Sequence, residues 1–503
     1  MGEVALALIL AALTFVVHNV SYMLSHPLWL DEAWVADSTR APLHLLSWIT
    51  SSTPLGWTLL LRLVPGDGEQ RFRVITLIFS ALAVLVAYAL GRELRLIRVV
   101  TAVLLAAGVL LAPVMLIDDE LKQYTAEACA SIAVLLLVAR VETQWSRSRL
   151  VLLSIVSGFA LLFTNTAVFV GVAAVVSLGL VGLGQRRWRR LAEVAAAGAL
   201  MLTIQGIIYL TIDKPHQIPS LASYWDGYYL PHNGGVRGAV SFVHHVGAGV
   251  APYLGFRLFA ISLILALGGI ATLIWLGRVA LALTTPLTIA AVMIASTFRK
   301  YPFLDLRTST FWLVMVVVLM AIGAAGAIRA LQSRSVIAAG LAVAVCLGGW
   351  CYSTAPYVRS QPLPNEDVRS QVAYFEQNYR PGDILILNFT ATWGFAYYDH
   401  SLIPTYRYDN TVSVGFIPTY PNLSWMVEMT NRTPASVDAA WNAAQAKAAQ
   451  HPGARIWIIR SHVQIPEATA WQTVLKGKDA TVLNVGPEPL ILVNPPTSPP
   501  PNT

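Results

Sequence analysis

Apolar residues in the first two-thirds of this chain run on rather than alternate. Crossing a bilayer takes about 20 of them as a helix. Such stretches recur near 3–23, 72–90, 97–117, 124–140, 149–164, 166–184, 191–211, 255–276, 279–298, 309–328 and 335–354. The pattern predicts about eleven spanning helices, the shortest pair meeting at Asn165. The opening run carries Glu3 instead of a basic start and has no small-residue cleavage site, so it reads as a span rather than a removable leader.

After residue 356 the pattern changes. Asp383-Ile-Leu-Ile-Leu-Asn388, following Pro381-Gly382, predicts a short buried strand. Residues 434–450 predict a helix, Arg455-Ile-Trp-Ile-Ile-Arg460 a second strand, and 489–493 a third. The Pro-rich end, 495–503, predicts disorder. The expected architecture is a polytopic α-helical membrane domain over 1–356, an α/β domain over 357–494 and a disordered tail.

Composition supports that division. Of 503 residues, 12% are charged, where a soluble domain carries roughly 25%. Apolar residues make up 56%, which excludes a disordered chain and a soluble multidomain enzyme. Residues 1–356 hold 24 Lys and Arg against 16 Asp and Glu, whereas 357–503 hold 10 against 11. The net charge of +7 thus belongs to the membrane part and is no sign of a nucleic-acid partner. Cys129, Cys346 and Cys351 all lie in apolar runs and offer no disulfide framework.

Cytoplasmic loops are rich in Lys and Arg. Arg92, Arg95 and Arg98 fill one loop; Arg140, Arg147 and Arg149 the next; then come Arg186, Arg187, Arg189 and Arg190, Arg278, and Arg329 with Arg334. These loops alternate correctly if the N-terminus is cytoplasmic. The other face then carries the long loops 24–71 and 212–254, the short ones 118–124 and 299–308, and the C-terminal domain. A transporter more often keeps its polar groups mid-membrane, in broken helices. Polar groups gathered at one face suit an enzyme working at the outer surface.

Four clusters on that face carry candidate chemistry. Leu28-Trp29-Leu30-Asp31-Glu32-Ala33-Trp34 places two carboxylates just past a span. They are either a solvated loop start within an interfacial aromatic belt or a general base whose pKa rises with partial desolvation. Asp118-Asp119-Glu120-Leu-Lys122-Gln-Tyr124 opens the fourth span. Lys122 lies against the preference of a helix start for negative charge, so it needs the nearby acids or a bound anion. Arg299-Lys300-Tyr301-Pro302-Phe303-Leu304-Asp305-Leu306-Arg307 places three cations where few are expected. They either snorkel to headgroups or clamp a phosphate, for which arginine suits bidentate contacts. The loop 212–254 holds Tyr224-Trp225-Asp226-Gly227-Tyr228-Tyr229 and the pair His244-His245, fit to lie along the interface over a lipid or a sugar. No third ligand for a metal is evident beside the histidines.

Taken in order, these clusters resemble the membrane glycosyltransferases of the GT-C fold, of the bacterial protein-mannosyltransferase and aminoarabinose-transferase type. Leu30 to Ala33 resembles that family's first-loop acidic motif. Glu120-Leu-Lys122-Gln-Tyr124 resembles its Glu-x-Arg-x-Tyr element, with lysine in place of arginine. Arg307 resembles the arginine that precedes a late span, and Gly382-Asp383-Ile with Tyr397-Tyr398 resembles the outer domain of one bacterial branch. The resemblance covers most of 1–330 in layout and about twenty residues in motif. It implies inverting transfer of a sugar from a polyprenyl-phosphate donor to a glycan, lipid or protein acceptor outside the cytoplasm, in a bacterial plasma membrane. Asp31 would be the base, with Glu32 orienting either it or the acceptor. Lys122, Tyr124, Arg299, Lys300 and Arg307 would hold the donor phosphate. Asp119, Glu120, Tyr224, Trp225, His244 and His245 would meet the acceptor or the sugar.

No cofactor is implied, because fixed cations can stabilise the leaving phosphate. A divalent metal on Asp31 and Glu32 with Asp118 or Asp119 stays open. The bias of 28 Arg to 6 Lys suggests a GC-rich bacterial genome, as in an actinomycete, and hence decaprenyl phosphate carrying mannose or arabinofuranose. A transporter or flippase for lipid-linked saccharides would use the same cations, and a scaffold would tolerate their loss one at a time.

Overall fold

The computed structural model describes residues 2–49, 53–66, 68–117, 120–231, 234–256, 258–303, 305–361 and 363–495. The expectation of a disordered tail over 495–503 lies, beyond residue 495, outside that set. The chain forms two compact units. One comprises Met1–Leu24, Ser51–Gly66 and Gln70–Pro362; the other gathers Ser25–Thr50, Asp67–Glu69 and Leu363–Thr503. Most of the first long loop, grouped by sequence with the membrane part, packs with the C-terminal residues.

The first unit is a helical bundle. Among the described residues, eight helices are long and apolar enough to cross a membrane, or nine if Gly235–Leu254 and Phe259–Trp275, bent by 79°, count as one. All eleven predicted stretches hold helix among the described residues, but three fall short of that length on their own: the opening Gly2–Val17, Phe259–Trp275, and Arg147–Phe159, which a 3₁₀ turn extends to Leu162. The polar run Thr164-Asn165-Thr166 ends the latter. The chain is a multi-span membrane protein. Its core is the Thr310–Gln332 helix, buried along most of its length. Phe259–Trp275 crosses that helix at closest approach through glycine. A Cβ on Gly269 would come within 2.0 Å of the Leu319 carbonyl oxygen, and one on Gly323 within 2.0 Å of that of Leu265. Small residues let spanning helices touch backbone to backbone, where lipid supplies no hydrophobic drive between helices. Val336–Thr354 shows its other face, with Val345 72% exposed, as a lipid-facing helix does.

The second unit is built on a five-stranded sheet of order β4-β1-β5-β7-β6, comprising β1 (Ile384–Leu387), β4 (Met426–Glu428), β5 (Ile456–Ile459), β6 (Ala480–Leu483) and β7 (Leu490–Val493). β4, β1 and β5 are parallel; β7 and β6 complete the sheet antiparallel. A separate hairpin pairs β2 (Thr405–Tyr408) with β3 (Phe416–Thr419). β1 and β5 are buried at every position, which is why they read as unbroken apolar runs. The predicted third strand is β7, and the predicted helix is Pro434–Ala448. β2 and β6, largely exposed and partly polar, carried no such signal. Asp383, just before β1, accepts hydrogen bonds from Arg455 Nε (3.1 Å) and Trp457 Nε1 (2.9 Å), tying β1 to β5.

Candidate functional site

In the bundle, the turn before the Tyr124–Thr143 helix is sunk in the protein. Glu120, Lys122, Gln123 and Tyr124 are all buried. Trp57 fixes the turn by donating its indole N–H to the Leu121 carbonyl at 3.1 Å. Glu120 pairs with the Arg307 guanidinium at 3.5 Å. Two elements far apart in the chain thus meet, and Lys122 lies two residues from that contact. The Arg307 side chain keeps 26% of its surface.

The segment 299–309 is folded on itself. Arg299 adopts a left-handed φ of 54° just past the Val279–Thr297 helix, and its N–H and that of Lys300 close the last turn on the Ser296 and Ala295 carbonyls, both at 2.9 Å. The Tyr301 hydroxyl donates to the Thr308 carbonyl at 2.9 Å, and its ring lies 5.1 Å from that of Phe169. Burial raises the Tyr301 hydroxyl well above its ordinary pKa, and the acids Glu127 and Asp305 push it further, so it stays a donor. Asp305 accepts from the Thr308 N–H at 3.0 Å. These bonds hold Arg307 just before the Thr310–Gln332 helix.

The other two cations of the segment point elsewhere. Arg299 is half exposed, forms an ion pair with Asp226 and lies 5.4 Å from the centre of the Tyr229 ring. Lys300 is exposed. Tyr224, Trp225 and Tyr228 form an edge-to-face run, with centroids 4.8 and 5.7 Å apart. The Phe303 N–H donates to the Tyr228 carbonyl at 3.0 Å and joins this aromatic segment to the basic one. His244 and His245 lie exposed on the Gly235–Val250 helix. Asp119, with Asp118, lies outside the described residues.

The carboxylates of the first loop belong to the second unit. Asp31 and Glu32 are buried at the start of the Leu30–Ser38 helix, not solvated in a loop. No side chain of its own N-cap residue, Trp29, closes this helix. The Leu30 N–H instead donates to Glu366 at 2.9 Å, and the Leu28 N–H to the Tyr398 hydroxyl at 2.7 Å. Trp34 packs edge-on against Trp393. Near the helix end, Asp37 accepts from the Tyr406 hydroxyl at 2.9 Å. Burial pushes its carboxyl up to about 7, against the pull of Tyr406 and Arg40. A cleft of about 290 Å³ in this unit is lined by Glu69, Arg369, Glu376, Tyr397, Tyr398 and His400.

Sequence reasoning passed over Glu127, Asp37 and Glu366. Glu127 was findable, because an acid inside an apolar span is a functional candidate by default. It is buried in the Tyr124–Thr143 helix and accepts from Gln123 at 3.4 Å. Among the described residues no three His, Cys, Asp or Glu gather as metal ligands.

No described protein family and no curated relative matches the chain by sequence. Solved structures do match by shape. ArnT from Cupriavidus metallidurans bound to undecaprenyl phosphate superposes with a TM-score of 0.56 at 13% identity, covering 98% of this chain and 97% of that one. The apo form of ArnT gives 0.59 at 14% identity, covering 98% of each. The archaeal oligosaccharyltransferase AglB from Archaeoglobus fulgidus, in complex with an inhibitory peptide and a dolichol-phosphate, gives 0.54 at 12%, covering 91% of this chain and 69% of that one. The chain has the GT-C fold, with its C-terminal α/β domain, over nearly its whole length.

Proposed function

We propose that this protein is an inverting glycosyltransferase that moves a sugar from a polyprenyl-phosphate donor to a glycan, lipid or protein acceptor at the outer face of a bacterial plasma membrane. The observation that carries this reading is the meeting of Glu120 with Arg307 beside Lys122. A buried lysine and a partly buried arginine set at one turn suit an anion that must be held while its charge grows. The same fold in ArnT is bound to undecaprenyl phosphate, and in AglB to a dolichol-phosphate.

In the proposed step the acceptor oxygen attacks the anomeric carbon from the face opposite the phosphate. Its proton passes to the Asp31 carboxylate as the new C–O bond forms. The anomeric C–O bond to phosphate breaks, and its electron pair leaves on the polyprenyl phosphate. Lys122 and Arg307 hold that charge, Tyr124 adds a hydrogen bond, and Glu120 orients Arg307. Glu32 keeps Asp31 in place. Arg299 and Lys300, both exposed, draw the anionic carrier to the surface. Tyr224, Trp225, His244, His245 and Asp119 meet the sugar or acceptor, and no metal is required. Mannose and arabinofuranose on decaprenyl phosphate are the donors to try first.

The test uses the whole chain in nanodiscs with decaprenyl-phosphate mannose or decaprenyl-phosphate arabinofuranose, following release of free decaprenyl phosphate. Release that depends on the sugar and is lost in Asp31→Asn is expected. Binding without release, unchanged by Asp31→Asn, would instead mark a transporter of lipid-linked saccharides.

A further inference from the structure

Two residues, Glu366 and His462, meet beyond the C-terminal end of β5, the central strand of the sheet, and Glu366 reaches the helix that carries Asp31. Glu366 uses both its oxygens. One accepts from the Leu30 N–H at 2.9 Å and from the Ser461 hydroxyl at 3.3 Å; the other meets His462 Nδ1 at 2.7 Å. Leu30 and Glu366 are 336 residues apart, so this carboxylate does for the helix what a local capping residue ordinarily does.

His462 follows β5 at its C-terminal end, where open parallel sheets place ligand-facing loops. Its φ of 52° lies in the left-handed region, which costs a residue with a Cβ and persists where the surroundings fix it. Its side chain is 38% exposed, so burial alone does not hold it there. With Nδ1–H given to Glu366, the ring has one defined tautomer and Nε2 is left for its other side. The charges that reach the ring are Glu366, Asp31 and Arg432. Glu488 accepts from its backbone N–H. The bond to Glu366 raises the imidazole pKa, and Asp31 adds to that while Arg432 opposes it.

We propose that Glu366 and His462 are a positioning couple for Asp31. Glu366 fixes the start of its helix through the Leu30 N–H, and His462 holds the Glu366 carboxylate in place through Nδ1, so that the pair sets where the Asp31 carboxylate stands for proton removal. This rests on the reading of Asp31 as the base. It gives the C-terminal domain a part in the chemistry beyond shaping access to it.

His462→Asn separates the role from folding, because asparagine tolerates a left-handed φ, and His462→Gly relieves the strain altogether. Both should keep the melting temperature. In nanodiscs with the two decaprenyl-phosphate sugars, His462→Asn should lower kcat about tenfold with little change in KM. Glu366→Gln keeps an acceptor for the Leu30 N–H and should lose less in kcat than Glu366→Ala, which removes the anchor. If Asp31→Asn is inactive and both His462→Asn and Glu366→Ala match wild type in kcat, the couple is overturned and the base survives. If Asp31→Asn turns over at the wild-type rate, the base reading falls and the couple with it.

Discussion

In the bundle, buried Glu120 and Lys122 lie on one turn, and Glu120 pairs with the partly buried Arg307. In the C-terminal unit, one nine-residue helix holds three buried acids, Asp31, Glu32 and Asp37. The two clusters are stabilised differently. The cations are fixed by a self-bonded loop and a direct ion pair. The acids are fixed by what donors reach them and by a cap supplied from far along the chain. A buried cation favours an incoming anion, whereas an excess of buried negative charge favours an incoming proton. The comparison teaches that the two kinds of charge are held by different means in separate folding units of one chain.

The sharpest way to break that contrast is Asp31→Asn. It removes the proposed proton acceptor while keeping its size, and kcat should fall about 10³-fold with carrier binding retained. Arg307→Ala and Lys122→Ala act on the other half. Each should cost about 10²-fold in kcat/KM. Arg307→Lys should recover only part, because it restores the charge and not the fork. Glu120→Gln should behave as a weaker Arg307 variant, since Glu120 acts through it. Equal losses in carrier binding and turnover for all of these would erase the division of labour.

The acids can be tested by stability. The folded pKa of Asp37, about 7, lies above its unfolded value of 3.8. The folded state therefore prefers the protonated form. Stability is greatest below the unfolded pKa, falls as pH rises between the two values, and stays low above about 7. Asp37→Asn removes that penalty and keeps an oxygen for the Tyr406 hydroxyl. Its melting temperature should exceed wild type by a few degrees near pH 8, with the gain vanishing near pH 4. A gain that is the same at both pH values would mean that the Asp37 charge is not what burial opposes.

Much of this was legible because a bilayer reads run length. Every predicted apolar stretch holds helix among the described residues, and β1, β5 and β7 were found as short apolar runs between turns. The Glu120-to-Tyr124 element and Arg307 stood out by their order along the chain, but the contact between Glu120 and Arg307 needs the fold. Arg299, Lys300 and Arg307 read as one clamp because sequence counts cations and not chain direction. The left-handed Arg299 ends its helix and lies with Asp226 instead. Asp31 was visible as an acid after a span, yet its burial was not, because its cap comes from Glu366 and follows from no local pattern. Asp37 was hidden the same way, since its donor Tyr406 lies in a hairpin of largely exposed strands.

The smallest effect separates two arginines eight positions apart on one segment. Arg299 and Asp226 are each at least half exposed, so water screens their attraction, and such pairs contribute about 0–1 kcal/mol. Arg299→Ala should therefore leave the melting temperature within about 2 °C of wild type. Its carrier attraction acts through solvent and is weakened by salt, so turnover should fall no more than about threefold at low ionic strength. The difference should disappear at about 0.5 M salt, whereas the loss in Arg307→Ala, at a site mostly withdrawn from water, should persist there. A salt-independent loss in Arg299→Ala as large as that of Arg307→Ala would mean that the segment refolds around the donor, bringing both cations onto one phosphate.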